Sequence, residues 1–310
     1  METKTKDEKT NSCRYCQGTY VVTDPITGDY IRAELCQCFP SPCPVCRDTR
    51  FQLEQDSMGR EMAIACPECE TRKRHIKLFN RARIPKNYAQ SQLLRSERDK
   101  NNSHIFHLLT TIIRTYPKSK NISLPNSAGK GSVSVPRGLV LMGAPGTGKT
   151  HLMAGFVYQC TIIHGISCMF RPFDKLLSEL KEGYSTGKSE METISPLLSA
   201  DFLIIDDLGK GRNTEWELNI LDTLITERYN SNKPIMVTSN HTESEKTTIK
   251  ERLRTKDKSE EDKFITDTLY KRVGERIYSR LREMCYFETL EGPDRREIKS
   301  GLSRTTVGAN

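Results

Sequence analysis

The clearest chemistry in this sequence is the run Gly143-Ala144-Pro145-Gly146-Thr147-Gly148-Lys149-Thr150. Its spacing is G-x-x-x-x-G-K-[ST], which suits a phosphate chain. Glycines let the backbone wrap closely enough for its N–H groups to face the anion. A helix opening at Lys149 would add its positive N-terminal end. The Lys149 ammonium can reach β and γ phosphates, and the Thr150 hydroxyl can ligate Mg²⁺. The alternative, a glycine-rich turn without a ligand, fits less well, because an apolar run precedes the loop and a helical pattern follows it.

A second motif, Leu203-Ile204-Ile205-Asp206-Asp207, is an apolar strand ending in acids. Such a strand delivers carboxylates to the C-terminal edge of a parallel sheet, where ligands bind. Asp206 is the candidate for the Mg²⁺ shell. Asp207 is the candidate for orienting or deprotonating an attacking water. Two acids after a strand can also simply begin a loop; the upstream phosphate loop favours the functional reading.

Eight of eleven cysteines precede residue 70. They come as Cys13-x2-Cys16, Cys36-x-Cys38, Cys43-x2-Cys46 and Cys66-x2-Cys69, and the first half recurs in the second at an offset of thirty residues apart from one position. Paired knuckles suit tetrahedral thiolate ligation, and four protein ligands leave no open catalytic position. Two structural zinc ions are expected, one on Cys13, Cys16, Cys36 and Cys38, the other on Cys43, Cys46, Cys66 and Cys69. Interleaved pairing of the knuckles and an iron–sulfur cluster are the alternatives. A region of about 70 residues with few large apolar side chains needs such staples to fold. Cys160, Cys168 and Cys285 sit alone in apolar stretches and read as core.

Around these residues the pattern is that of an α/β protein. The expected fold is a P-loop parallel sheet flanked by helices, preceded by a small tandem four-cysteine module. Strands are expected at 139–142, 168–170, 202–205 and 235–237, and helices at 104–116, 150–163, 173–182 and 215–229. The last helix would bury a stripe of Leu218, Leu221, Ile225 and Tyr229. The domain division is residues 1–76 for the cysteine module, 77–136 for a basic connector and linker, 137–300 for the sheet domain and 301–310 for a tail. The Ser/Lys/Gly/Pro-rich segment 117–136 reads as linker, and 243–263, dense in both charges, as an exposed insertion.

The 310 residues are 35% hydrophobic and 28% charged with net charge +8, and Arg72 to Arg83 is a basic stretch. Such a charge favours acidic partners, although the basic stretch also suits a solvated helix face. No run approaches the ~18 apolar residues of a membrane helix. The polar segment 1–11 does not read as a secretory signal, so a cytoplasmic location is expected.

Taken in order, Gly143 to Leu152, Leu203 to Gly209, Arg228-Tyr229, Thr238-Ser239-Asn240, Gly274 to Cys285 and the lead-in Ala82 to Tyr88 resemble the AAA+ ATPases. Within them they are similar to the bacterial helicase-loader and transposition-helper family (DnaC, DnaI and IstB types), over roughly residues 78–298. The resemblance implies ATP hydrolysis with Mg²⁺. It makes Asn240 the sensor that touches the γ-phosphate or water. Arg280 matches the arginine finger that completes a neighbouring subunit's site, and Arg296 the arginine that touches the same subunit's nucleotide. Without it, Arg276, Arg280 and Arg282 would read as a solvated helix face. It also implies self-association through the ATPase domain, single-stranded DNA binding and a replicative DNA helicase as partner. A transposition helper and a zinc-bearing adaptor using ATP only as a switch are the alternatives. The cysteine module would dock protein or DNA. Two features depart from the family: Asp207 stands where many AAA+ proteins carry Glu, and the segment 242–273 is longer than usual.

Overall fold

The computed structural model describes residues 13, 15–16, 19, 21–24, 28–39, 42–93, 102–116, 124–125, 132–133, 138–242 and 268–296. The expected insertion at 243–263, the tail at 301–310 and most of the linker at 117–136 lie outside them. The chain forms two compact units, one of Met1–Gln92 with Ala154–Cys168, the other of Leu93–Met153 with Met169–Asn310.

The first unit carries two antiparallel hairpins. Strands β1 (Val21–Asp24) and β2 (Arg32–Leu35) form one, β3 (Phe51–Gln55) and β4 (Glu61–Ala65) the other. The cysteine spacing did not reveal these ribbons. Helix α1 (Pro67–Ala82) follows, with proline in its first turn, and buries His75, Phe79 and Ala82. Proline fits there because the first turn's N–H groups have no helical partner. The helix stops as Ile84-Pro85 predicts: Arg83 adopts the left-handed conformation at its C-cap. His75 Nδ1 lies 2.7 Å from the Ile162 carbonyl, and the Phe79 and Tyr158 rings meet edge to face.

The second unit opens with α2 (Ser103–Thr115), which buries Ile105, Phe106, Leu109, Ile112 and Ile113. Two short strands, β5 (Leu124–Pro125) and β6 (Ser132–Val133), pair with each other. The main sheet follows: β7 (Gly138–Met142), β8 (Cys168–Pro172), β9 (Phe202–Asp206), β10 (Ile235–Ser239) and β11 (Cys285–Thr289). Its order is β11-β7-β10-β9-β8, with β7 parallel to both neighbours and β10 parallel to β9. Strands β7, β9 and β10 are buried at every position, as uninterrupted apolar runs covered on both faces must be.

The helices are α3 (Lys149–Tyr158), α4 (Phe173–Ser185), α5 (Glu190–Ser199), α6 (Glu215–Asn230), α7 (Leu269–Val273) and α8 (Glu275–Met284). Capping boxes start α5 and α6: Ser189 with Glu192, and Thr214 with Glu217. Each N-cap hydroxyl is worth about 1 kcal/mol.

Two expectations need correction. The helix expected over 150–163 is α-helical only to Tyr158 and continues as a π turn over Gln159–Ile163, since one inserted residue changes the hydrogen-bond step without changing the apolar pattern. The buried face of α6 is Glu217, Ile220, Leu221, Leu224, Ile225 and Arg228, while Tyr229 is exposed. Tyr229 donates instead to Glu283 at 2.9 Å. Arg228 goes inward because carbonyls await it: it donates to Leu197, Ala200, Asp201 and Pro234. Thr242 bridges Thr268 and accepts from the Leu269 N–H at 2.8 Å.

Candidate nucleotide site and cysteine clusters

Strand β7 delivers the loop and α3 carries it away. Gly143 has φ +144° and Gly146 φ +82°, and a Cβ on either would collide, with the Leu290 carbonyl and the Asp294 carboxyl respectively. Only glycine combines that backbone with those approaches. Thr147 Oγ1 donates to Ala144 O at 3.0 Å and tightens the turn. Lys149 Nζ donates to the carbonyls of Gly143 and Ala144, both at 2.8 Å. Burial pulls its pKa down to about 8, against the attraction of Asp207 and Asp206.

Strand β9 brings Asp206 beside the start of α3. Thr150 Oγ1 donates to Asp206 Oδ1 at 3.0 Å, and Thr238 Oγ1, from β10, donates to the same oxygen at 2.6 Å. Burial is the main cause of an Asp206 pKa raised to about 6. The buried Asp206 carboxylate and the Thr150 hydroxyl are oxygen donors that would hold a divalent cation, which would supply charge neutralisation for a bound phosphate chain.

Asp207 follows in the left-handed region at φ +55°. Its N–H donates to Thr238 Oγ1 at 2.9 Å, so one hydroxyl addresses both acids. The Asn240 amide reaches Asp207 Oδ1 at 3.4 Å, and Lys210 Nζ lies 3.7 Å from Oδ2. A backbone bond from Leu208 N to Thr238 O and a side-chain bond from Ser239 Oγ to Leu208 O, both 2.8 Å, hold this turn to the end of β10.

The segment after β11 lies on the loop. Arg295 N donates to Gly146 O at 3.0 Å. Arg296 grips Asp294 through Nε and Nη2 at 3.1 and 3.0 Å, and holds that carboxyl below its usual range. Arg280 lies elsewhere, on α8, donating to Asp222 of α6 at 2.9 Å; Arg276 shares the same carboxylate at 3.4 Å.

Reading the sequence missed Thr238, Asp294 and Asp222 as individual participants. Thr238 had a visible signal, a hydroxyl residue two before Asn240 at a strand end. Asp222 had none, because its partners Arg276 and Arg280 lie on another element, whereas Asp294 stands two residues before Arg296.

In the other unit, the eight cysteines form the two expected sets. Cys13, Cys16, Cys36 and Cys38 have their sulfurs within 4.8 Å of one another, as do Cys43, Cys46, Cys66 and Cys69. The interleaved alternative is not what this arrangement forms. Sulfurs of Cys13 and Cys36, and of Cys46 and Cys69, are 3.7 and 3.6 Å apart. Four thiolates about 2.3 Å from a tetrahedral ion stand roughly 3.8 Å apart, so the sets fit zinc. Cys160, Cys168 and Cys285 are buried as expected.

A glycine-wrapped phosphate loop between a buried strand and a helix, with Asp206 at the end of β9, one strand beyond β10 in the same sheet, defines a P-loop nucleotide-binding domain. Residues 126–251 match the family model of the IstB-like ATP binding protein. The chain is similar to the uncharacterized protein YqaM of Bacillus subtilis (strain 168), 28% identical over 120 residues, 37% of this chain and 37% of that protein. It is also similar to the replicative helicase loader DnaC of Escherichia coli (strain K12), 28% identical over 111 residues, 36% of this chain and 45% of that protein. The chain thus matches less than half the length of these curated relatives. The crystal structure of the DnaC helicase loader aligns with 66% of this chain and 99% of its own, at 21% identity and a TM-score of 0.48. Over the matched segments the chain is similar to IstB-like ATP binding proteins and to replicative helicase loaders. No described helix is long and apolar enough to cross a membrane.

Proposed function

We propose that this chain is an ATP-dependent helicase loader that binds ATP and single-stranded DNA and delivers a replicative helicase. The observation that carries the reading is the meeting of Thr150, Asp206 and Thr238 on one carboxylate oxygen beside Lys149. Lys149 would exchange the Gly143 and Ala144 carbonyls for phosphate oxygens. Thr150 and Asp206 would hold Mg²⁺, which neutralises charge on the transferring phosphoryl group. Asp207, with Asn240 at its carboxylate, would orient the attacking water. Asp207 reaches less far than a glutamate, which suits slow turnover stimulated by DNA or a partner.

Arg296 would touch the same chain's nucleotide. Arg280 would serve a neighbouring chain in a self-assembled complex, its rigid fork spreading charge over the phosphoryl oxygens. The two cysteine sets would hold two structural zinc ions. The division into a cysteine module to residue 76, a connector to 136 and an ATPase domain to 300 accompanies this reading, as does a cytoplasmic location. The match to a replicative helicase loader supports the choice of partner. The match to the IstB-like model supports a second reading, an ATPase helper of DNA transposition.

The test offers the purified chain, with ATP, a replicative helicase and a transposase from the same source. Loading predicts ATP-dependent transfer of the helicase to closed circular single-stranded DNA. Capture of the transposase on target DNA, with no helicase transfer, would replace the reading with the second one.

A further inference from the structure

The two cysteine ribbons are copies of one structure, and they differ in what covers them. Thr19 Oγ1 donates to Cys16 O at 2.7 Å and to Val21 O at 3.1 Å. Thirty residues on, Thr49 Oγ1 donates to Cys46 O at 2.7 Å and to Phe51 O at 3.0 Å. The strand registers also repeat. Val21 opposes Leu35 as Phe51 opposes Ala65, and Thr23 opposes Ala33 as Leu53 opposes Ala63.

On the first ribbon α1 packs on β2, and Val21 is 2% and Ala33 1% exposed, while Leu35 at the open end of the same face is 44% exposed. Two polar anchors hold the helix. Asn80 accepts from the Ala33 N–H at 2.7 Å and donates to the Ala33 carbonyl at 3.1 Å. Arg72 donates to Thr19 O at 2.9 Å. On the second ribbon the same face is bare: Phe51 is 57% and Leu53 69% exposed, and Ala63 and Ala65 are exposed as well. Its Thr49 carbonyl and Ala63 backbone occupy the register positions of the Thr19 and Ala33 anchors. A contiguous apolar face of this kind marks an interaction site more often than it marks solvent-facing surface.

The charges narrow the occupant. Glu61 opposes Gln55 on this same face at the far end of the second hairpin, and Asp56 in the turn is paired with Arg60 at 2.8 Å. Glu61 stands where the first ribbon has the buried Ile31. A helix lying as α1 lies would bring its C-terminal half to that end. In α1 that half carries Lys77 and Arg81, and Arg83 follows over the Tyr30 ring.

We propose that the face formed by Phe51, Leu53, Ala63 and Ala65 seats a basic amphipathic helix of a partner protein, held as α1 is held on the first ribbon. The bound helix presents an apolar stripe to Phe51 and Leu53. An Asn or Gln bridges the N–H and C=O of Ala63. An Arg eight residues earlier, the separation of Arg72 from Asn80, meets Thr49 O. Basic residues in its last turns face Glu61. This inference is independent of the nucleotide site.

The test uses the zinc-loaded full chain and a fluorescent peptide with the sequence Pro67–Ala82, Cys69 replaced by Ser, stapled on its solvent face to keep it helical. Saturable one-to-one binding is expected. It should weaken about tenfold or more with Leu53→Asp in the protein, and likewise with Asn80→Ala in the peptide. Leu53 is exposed, so Leu53→Asp should keep both zinc ions and unchanged ATP hydrolysis. Absent binding, or binding indifferent to Leu53→Asp, overturns the proposal. So does a dimer of the chain that Leu53→Asp dissolves while the peptide does not bind, which would assign the face to a second copy.

Discussion

Thr238 Oγ1 donates to Asp206 Oδ1 at 2.6 Å while accepting the Asp207 N–H at 2.9 Å. One hydroxyl on β10 therefore orients both acids at the end of β9. Groups that orient a metal ligand typically govern metal affinity or activity by about 10- to 100-fold. Thr238→Val should lower Mg²⁺-dependent ATP turnover by about that factor with the fold intact, and Thr238→Ser should restore most of it. Equal loss in the valine and serine variants, measured as phosphate release against Mg²⁺ concentration, would count against an orienting role.

Arg228 is fully buried and donates to the carbonyls of Leu197, Ala200, Asp201 and Pro234. It ties α6 to the chain entering β9 and β10, the strands that lead to Asp206 and Asn240. Arg228→Met would strand those carbonyls, at a cost of about 3 kcal/mol or more. Urea unfolding reads this directly; a variant within about 0.5 kcal/mol of wild type would show that the carbonyls find other partners.

The cysteine sets predict two zinc ions per chain by elemental analysis. Cys46→Ser should leave about one, since each set closes on its own four thiolates. Chelation should unfold both ribbons, because hairpins of this size lack a core of their own. A metal-free preparation with unchanged circular dichroism would contradict the staple role.

Arg280 rests on Asp222 within its own chain. If Arg280 completes a neighbour's site, Arg280→Ala and Lys149→Ala should each abolish most turnover, yet their mixture should regain part of it. In mixed assemblies an intact loop then faces an intact finger. No recovery at any mixing ratio would confine Arg280 to holding α8 against α6.

The phosphate loop was legible because its chemistry needs eight contiguous residues, and backbone wrapping depends only on local glycines. The buried strands β7, β9 and β10 were legible for a related reason: an apolar run of that length has no other place in a soluble fold. The cysteine repeat announced two sets of four. What could not be read were relations across elements. Tyr229 carried the right period for the α6 core, but Arg228 took the inward position because four carbonyls converge there. The π turn after Tyr158 preserves the apolar pattern of a straight helix. Val21 and Phe51 are equivalent in sequence, and only the position of α1 makes one buried and the other exposed.

Lys149, Thr150 and Asp206 are expected to form an ATP·Mg²⁺ site at which hydrolysis depends on Asp207. The most direct measurement is parallel ATP binding and phosphate release, with and without single-stranded DNA, for wild type, Lys149→Ala and Asp207→Asn. Binding and DNA-stimulated release are expected in wild type, loss of both in Lys149→Ala, and binding without release in Asp207→Asn. Phosphate release by Asp207→Asn at the wild-type rate, or ATP binding undiminished in Lys149→Ala, would contradict this reading.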